Sequence, residues 1–128
     1  MDQDEAANFA QRWQAAWNAH DLDALLAHFS DDVIFRSPVA AQLLPDCDGV
    51  IRGKEALREY WSKALELLPQ LHFEVEGVYA GLDTVVINYR NHMGNRVCEV
   101  LTFDGPLAVA GQATYETDAA AADSGLPA

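Results

Sequence analysis

Basic side chains are scarce. Eight Lys and Arg stand against twenty Asp and Glu, a formal charge of -12 over 128 residues, so phosphate backbones and anionic membranes are repelled and nucleic acid is not an expected partner. A polyanionic substrate is disfavoured too, because no cluster of Arg or Lys is available to hold it. Cysteine is nearly absent: Cys47 and Cys98 share no CxxC spacing, which fits a reduced, cytoplasmic protein better than a disulfide scaffold. His20, His28, His72 and His92 lie far apart and make no HExxH-type pair, so no metal or other cofactor is expected. No apolar run approaches the roughly twenty residues of a membrane span. The opening Met1-Asp2-Gln3-Asp4-Glu5 is acidic where a signal peptide is basic.

What is present is enough apolar material, 50% of the chain, for one core and too little length for two. A single domain over residues 1–116 is expected, followed by an alanine-rich tail over 117–128 without large apolar anchors. Ala6, Phe9, Ala10, Trp13, Ala16 and Trp17 recur at three- and four-residue intervals and predict a helix over about 3–19. Asp21 caps a second helix with Leu22, Leu25, Leu26 and Phe29 inward, ended by Ser30-Asp31-Asp32. Val33 to Arg36 reads as a short strand stopped at Ser37-Pro38, and 39–49 as a loop. Val50 to Arg52 is a short strand. Gly53-Lys54-Glu55 opens a third helix, with Leu57, Tyr60, Trp61, Ala64, Leu65 and Leu68 inward and Pro69 at its end.

From Leu71 the period changes to two. Strands are expected from Leu71 to Ala80 with a bulge at Gly77, from Thr84 to His92, from Arg96 to Asp104, and from Leu107 to Glu116. The fold class is therefore α+β, three helices against one face of a strongly curved, mixed or antiparallel sheet, leaving a cone-shaped cavity.

One strand carries the chemistry. Val97, Glu99, Leu101 and Phe103 share a face, which sets a carboxylate among apolar residues. An ionised acid there costs several kcal/mol or more unless it is paired, hydrogen-bonded or protonated. A two-residue turn at Met93-Gly94 sets Asn88 opposite Glu99, and one at Gly94-Asn95 sets Arg90 there. In either register Val85, Ile87, Tyr89 and Val100 fall on the other face, which is apolar enough to predict a homodimer through it. Glu99 is then one half of a buried pair with Arg90, a group at a wet rim, or an acid/base group in the cavity.

Trp13-x3-Trp17-Asn18-Ala19-His20-Asp21-Leu22-Asp23-Ala24-Leu25, His28-Phe29-Ser30-Asp31-Asp32-Val33, Ser37-Pro38, Ile51-Arg52-Gly53-Lys54-Glu55-Ala56-Leu57 and Glu99-Val100-Leu101-Thr102-Phe103-Asp104 together resemble the SnoaL-like branch of the NTF2-like superfamily. The resemblance covers about residues 6–116 and implies the fold more than an activity, since that superfamily includes ketosteroid isomerases, polyketide cyclases, epoxide hydrolases, dehydratases and non-catalytic transport factors. Set against the ketosteroid isomerases, Ser37 stands where the general base would be, Trp13 where the oxyanion tyrosine would be, and Phe29 and Trp61 where its supporting tyrosines would be. Glu99 alone keeps an acid, at the place of the second oxyanion donor. Asn88-Tyr89-Arg90 with Tyr115-Glu116-Thr117 does not reproduce the epoxide hydrolase triad. Tyr115, Glu116 and Asp118 lack the pattern around a cyclase aspartate.

The resulting expectation is a pocket for a small, apolar, neutral molecule. Glu99, Arg90 and Asn88 are the candidate catalytic residues of an isomerase, cyclase or lyase. Trp13, Trp17, Phe29, Phe35, Ser37, Tyr60, Trp61, Leu101 and Tyr115 are the candidate substrate-binding residues. The alternative is a ligand-binding or dimerisation module without chemistry.

Overall fold

A computed structural model of the chain describes residues 1–117; apart from Thr117, the expected tail lies outside the described residues. The first helix, α1 (Gln3–Asn18), starts at a capping box in which Asp2 accepts from the Glu5 N–H and the Glu5 carboxylate accepts from the Asp2 N–H. It buries Ala6, Phe9, Ala10, Trp13, Ala16 and Trp17, the stripe read from periodicity. It ends with His20 in the left-handed region, the His20 N–H bonding Trp17 O and the Asp21 N–H bonding Ala16 O.

The second helix, α2 (Leu22–Leu26), is capped by Asp21 as expected but stops before Phe29. Phe29 is fully buried as the first residue of strand β1 (Phe29–Arg36). The strand starts early because the last strand pairs with it in parallel, its Ala108 N–H donating to His28 O. The expected loop at 39–49 is partly helical: α3 (Pro38–Leu43), then a 3-10 turn (Pro45–Cys47). Ser37 is the N-cap, accepting from Val39 N–H, and Pro38 sits in the first turn, where its missing donor costs nothing. Strand β2 (Val50–Arg52) and helix α4 (Lys54–Leu67) follow.

The segment Leu71–Phe73 is tied to the C-terminal end of α1 rather than to a neighbouring strand. The Asn18 amide brackets Phe73, donating to its carbonyl at 2.9 Å and accepting from its N–H at 2.8 Å, and His20 Nε2 lies 2.9 Å from Leu71 O. Strand β3 (Glu74–Ala80) therefore begins three residues later than expected, with a register shift between Val75 and Gly77. Strands β4 (Thr84–Arg90), β5 (Arg96–Asp104) and β6 (Leu107–Tyr115) complete an open, curved, mixed sheet in the order β2-β1-β6-β5-β4-β3. Among the described residues no helix is long and apolar enough to cross a membrane.

The core lies between the helices and the inner sheet face. Gly111 of β6 is paired with Leu101 on one side and Phe35 on the other. A Cβ there would stand 2.7 Å from Leu101 Cδ2 and 2.9 Å from Phe35 Cδ1. Gly111→Ala is accordingly expected to destabilise the protein by about 1–3 kcal/mol, read as a lowered urea midpoint at unchanged slope. An unchanged midpoint would show that the sheet yields there freely.

Candidate functional site

The alternation read in β5 holds: Val97, Glu99, Leu101 and Phe103 are buried and the residues between them are half-buried. The register read for its partner does not. Glu99 pairs with Ile87 of β4 and with Ala113 of β6, while Arg90 pairs with Arg96. The connection is a five-residue loop, not a two-residue turn. Its buried Asn91 accepts through Oδ1 from the N–H groups of Met93 and Asn95, and the Asn91 N–H donates to Asn95 O. Changing an even loop to an odd one moves every side chain of β4 to the opposite face.

Two expectations are corrected by that shift. Asn88 and Arg90 lie on the outer face, away from Glu99, and Arg90 is held by Glu76 of β3 at 3.2 Å. Val85, Ile87 and Tyr89 belong to this chain's own core, each at most 3% exposed, and cannot present a surface to a second subunit. Val100 remains on the outer face, directly opposite Val86. The signal for this register was in the sequence: it puts Val85, Ile87 and Tyr89 on one face with Val97, Leu101 and Phe103, which gathers the larger apolar residues of both strands on the inner side.

The same register brings phenols to the carboxyl. Tyr89 and Tyr115 flank Val97 on either side, one row from Glu99, within the diagonal reach of long side chains on one sheet face. The Tyr89 hydroxyl lies 3.5 Å from Glu99 Oε1, long for an O–H···O bond. Burial pushes Glu99 up to about 8, with the Tyr89 contact opposing in part. The carboxyl is therefore mostly protonated, and a donor, at neutral pH. Burial raises Tyr89, Tyr60 and Tyr115 above the ordinary phenol value, and the nearby Glu99 charge adds to this for each.

A cavity of about 30 Å3 opens beside Glu99, room for about two water molecules. Of the expected binding residues, Trp17, Phe35, Ser37, Tyr60, Trp61 and Tyr115 line it, whereas Trp13, Phe29 and Leu101 are fully buried behind the wall. Sequence reasoning missed Tyr89 and the wall residues Val39, Leu71 and Phe73. Ser37 ties the wall to the polar floor: its Oγ accepts from the Tyr60 hydroxyl at 3.2 Å and from the Val39 N–H at 3.1 Å. Trp61 meets Trp17, Phe29 and Phe35 edge-on at 5.1, 5.3 and 5.6 Å between ring centres. Among the described residues no group of three or more His, Cys, Asp or Glu side chains is placed to hold a metal ion.

The architecture is shared widely. A SnoaL-like protein of unknown function from Burkholderia thailandensis E264 is 40% identical, with a TM-score of 0.86 over 91% of this chain and 98% of that one. A protein with a ketosteroid isomerase-like fold from Catenulispora acidiphila DSM 44928, in complex with trimethylamine, is 21% identical, with a TM-score of 0.70 over 92% of each chain. Bal32a, from a soil-derived mobile gene cassette, is 20% identical with a TM-score of 0.76 over 94% and 95%. The last two show the fold alone, and other structural neighbours are described as NTF2-like and cystatin-like. A comparison with curated proteins finds no match. Residues 10–121 match the model of the SnoaL-like domain, and with that match over most of its length the chain belongs to the SnoaL-like domain family.

Proposed function

We propose that the protein binds a small neutral molecule in the cone and that Glu99, as a protonated carboxylic acid, donates to an oxygen of that molecule in a cyclase-, lyase- or isomerase-type reaction. The observation that carries this reading is one carboxyl, 3% exposed, lining an aromatic cavity with no basic side chain among its lining residues. A neutral acid can hydrogen-bond a carbonyl or a leaving hydroxyl without the desolvation cost of an ion. Among the lining residues Glu99 is the sole carboxyl, so the support is for acid-type activation rather than for transfer between two carboxylates. Asn88 and Arg90 have no part in it.

The test is Glu99→Gln, which keeps the shape and removes the transferable proton. Turnover across a panel of small hydroxyketones and epoxides is expected to fall by about 10²–10⁴-fold, with ligand affinity changed little. Equal turnover in the variant would sink the acid role.

A second reading, binding without chemistry, is favoured by the volume. Space for about two waters admits a larger molecule only if a wall yields. Ser37 and Ala113, which line the cavity, also line a surface groove of about 330 Å3 beside Pro38, Ala41 and Gly49, which supports entry past α3. A ligand bound by the wild type, with no turnover over the same panel, would decide for this reading.

We infer in addition that the outer sheet face pairs with a second copy of the chain. Support comes from Ile34, Val109, Val100 and Val86, half-buried on the four adjacent strands β1, β6, β5 and β4. Val100→Lys is expected to shift the sedimenting species from dimer to monomer, and a wild type that sediments as a monomer would contradict the pairing.

A further inference from the structure

The cavity wall holds a donor that the polar floor does not use. Trp17 is 4% exposed and lines the cavity, and its indole Nε1–H is buried without a hydrogen-bond partner. Buried donors are nearly always satisfied. Of the acceptors lining the cavity, Ser37 Oγ already takes hydrogen bonds from Tyr60 and Val39, and Glu99 Oε1 faces the Tyr89 hydroxyl. Nor can the ring turn away to find another. It is wedged against Trp61 at 5.1 Å and Phe73 at 5.2 Å.

Trp13 supplies an internal contrast. Its Nε1–H is also buried and unpartnered, but its ring stacks on Phe73 and meets Tyr89 edge-on, outside the cavity lining. Two unpartnered indole donors therefore stand one helical turn apart, one on a ring that lines the cavity and one on a ring that does not.

We propose that Trp17 is a specificity-determining residue, its indole N–H donating to a second acceptor on the bound molecule. The preferred ligand class is then a compact neutral compound with two oxygen acceptors, one for the carboxyl of Glu99 and one for Trp17. This rests on the cavity being a ligand site, as proposed above. A simple ketone satisfies only one of the two positions.

The probes are 2-pentanone and methoxyacetone, which match in length and differ by one CH₂ replaced with an ether oxygen. With ¹⁵N-labelled protein, each is titrated into the wild type and the three tryptophan indole signals are followed. Methoxyacetone is expected to move the Trp17 signal, to leave the Trp13 signal in place, and to be favoured over 2-pentanone. That preference, the ratio of the two Kd values, falls about tenfold in Trp17→Phe, one buried hydrogen bond's worth. It is kept in Trp13→Phe. An unmoved Trp17 indole in the wild type, or an unchanged ratio in Trp17→Phe, overturns the assignment. Should Trp17→Phe not fold, the wild-type indole shift alone decides. If both probes bind in the cavity and Glu99→Gln leaves turnover over the panel unchanged, the role of Glu99 fails while that of Trp17 stands on its own readout. If neither binds, both fail.

Discussion

At pH 8.5, Glu99→Gln is expected to be more stable than the wild type by about 4–5 kcal/mol, and at pH 4 the two are expected to be nearly equal. The cause is the burial that pushes Glu99 from its ordinary 4.5 up to about 8 in the folded chain. Between those two values the folded state holds a proton that the unfolded state has lost. Stability of the wild type therefore falls as pH rises from about 4.5 and levels off above about 8. A difference of that size corresponds to about 4–5 kcal/mol, a large fraction of a typical domain's 5–15. Glutamine stays neutral and escapes the penalty. His28 and His92 are depressed by burial and bias stability the other way below pH 6.5, but they are common to both proteins. The difference between the two urea-derived stability curves isolates residue 99. A difference that stays flat from pH 4 to 9 would mean that the carboxyl keeps its charge in the fold, paired or wet.

Trp61→Ala is expected to cost about 3–5 kcal/mol, in the range for a large aromatic removed from a core. Trp61 is 2% exposed and is the ring on which Trp17, Phe29 and Phe35 converge. Its removal joins the space it filled to the existing cavity, so small aromatic compounds such as indole should raise the variant's Tm and leave the wild type's unchanged. A loss under about 1 kcal/mol would mean that the aromatic wall collapses readily, and the cone could then not be described as held open or shut by that ring. The two variants pull in opposite directions at high pH, which keeps their causes separable.

The helices were legible because each buries a stripe at the helical period. All six residues of the α1 stripe are buried, and Asp21 caps α2 as its side chain allows. The alternation of β5 was equally plain, since period two needs no partner to define it. What could not be read locally was anything set by a distant strand. Phe29 is apolar at a helix-compatible position, and only pairing with β6 makes it β-structure. Leu71 and Phe73 alternate like a strand but are claimed by Asn18 and His20, 51 to 55 residues away in the chain.

The costliest misreading was the β4–β5 loop. Met93-Gly94-Asn95 carries a tight-turn signature, yet Asn91 organises a loop of five through its side-chain oxygen, the kind of local bond asparagine makes well. One residue of loop length decided whether Arg90 or Tyr89 shares a face with Glu99. With Arg90 inward, Glu99 would be half of an ion pair. With Tyr89 inward, it is a neutral acid.

That distinction is open to direct measurement. With ¹³C-labelled glutamate, the Glu99 side-chain carboxyl can be followed through a pH titration of the folded protein and assigned by its loss in Glu99→Gln. A midpoint near 8 is expected. A midpoint at the ordinary 4.5 or below would contradict it.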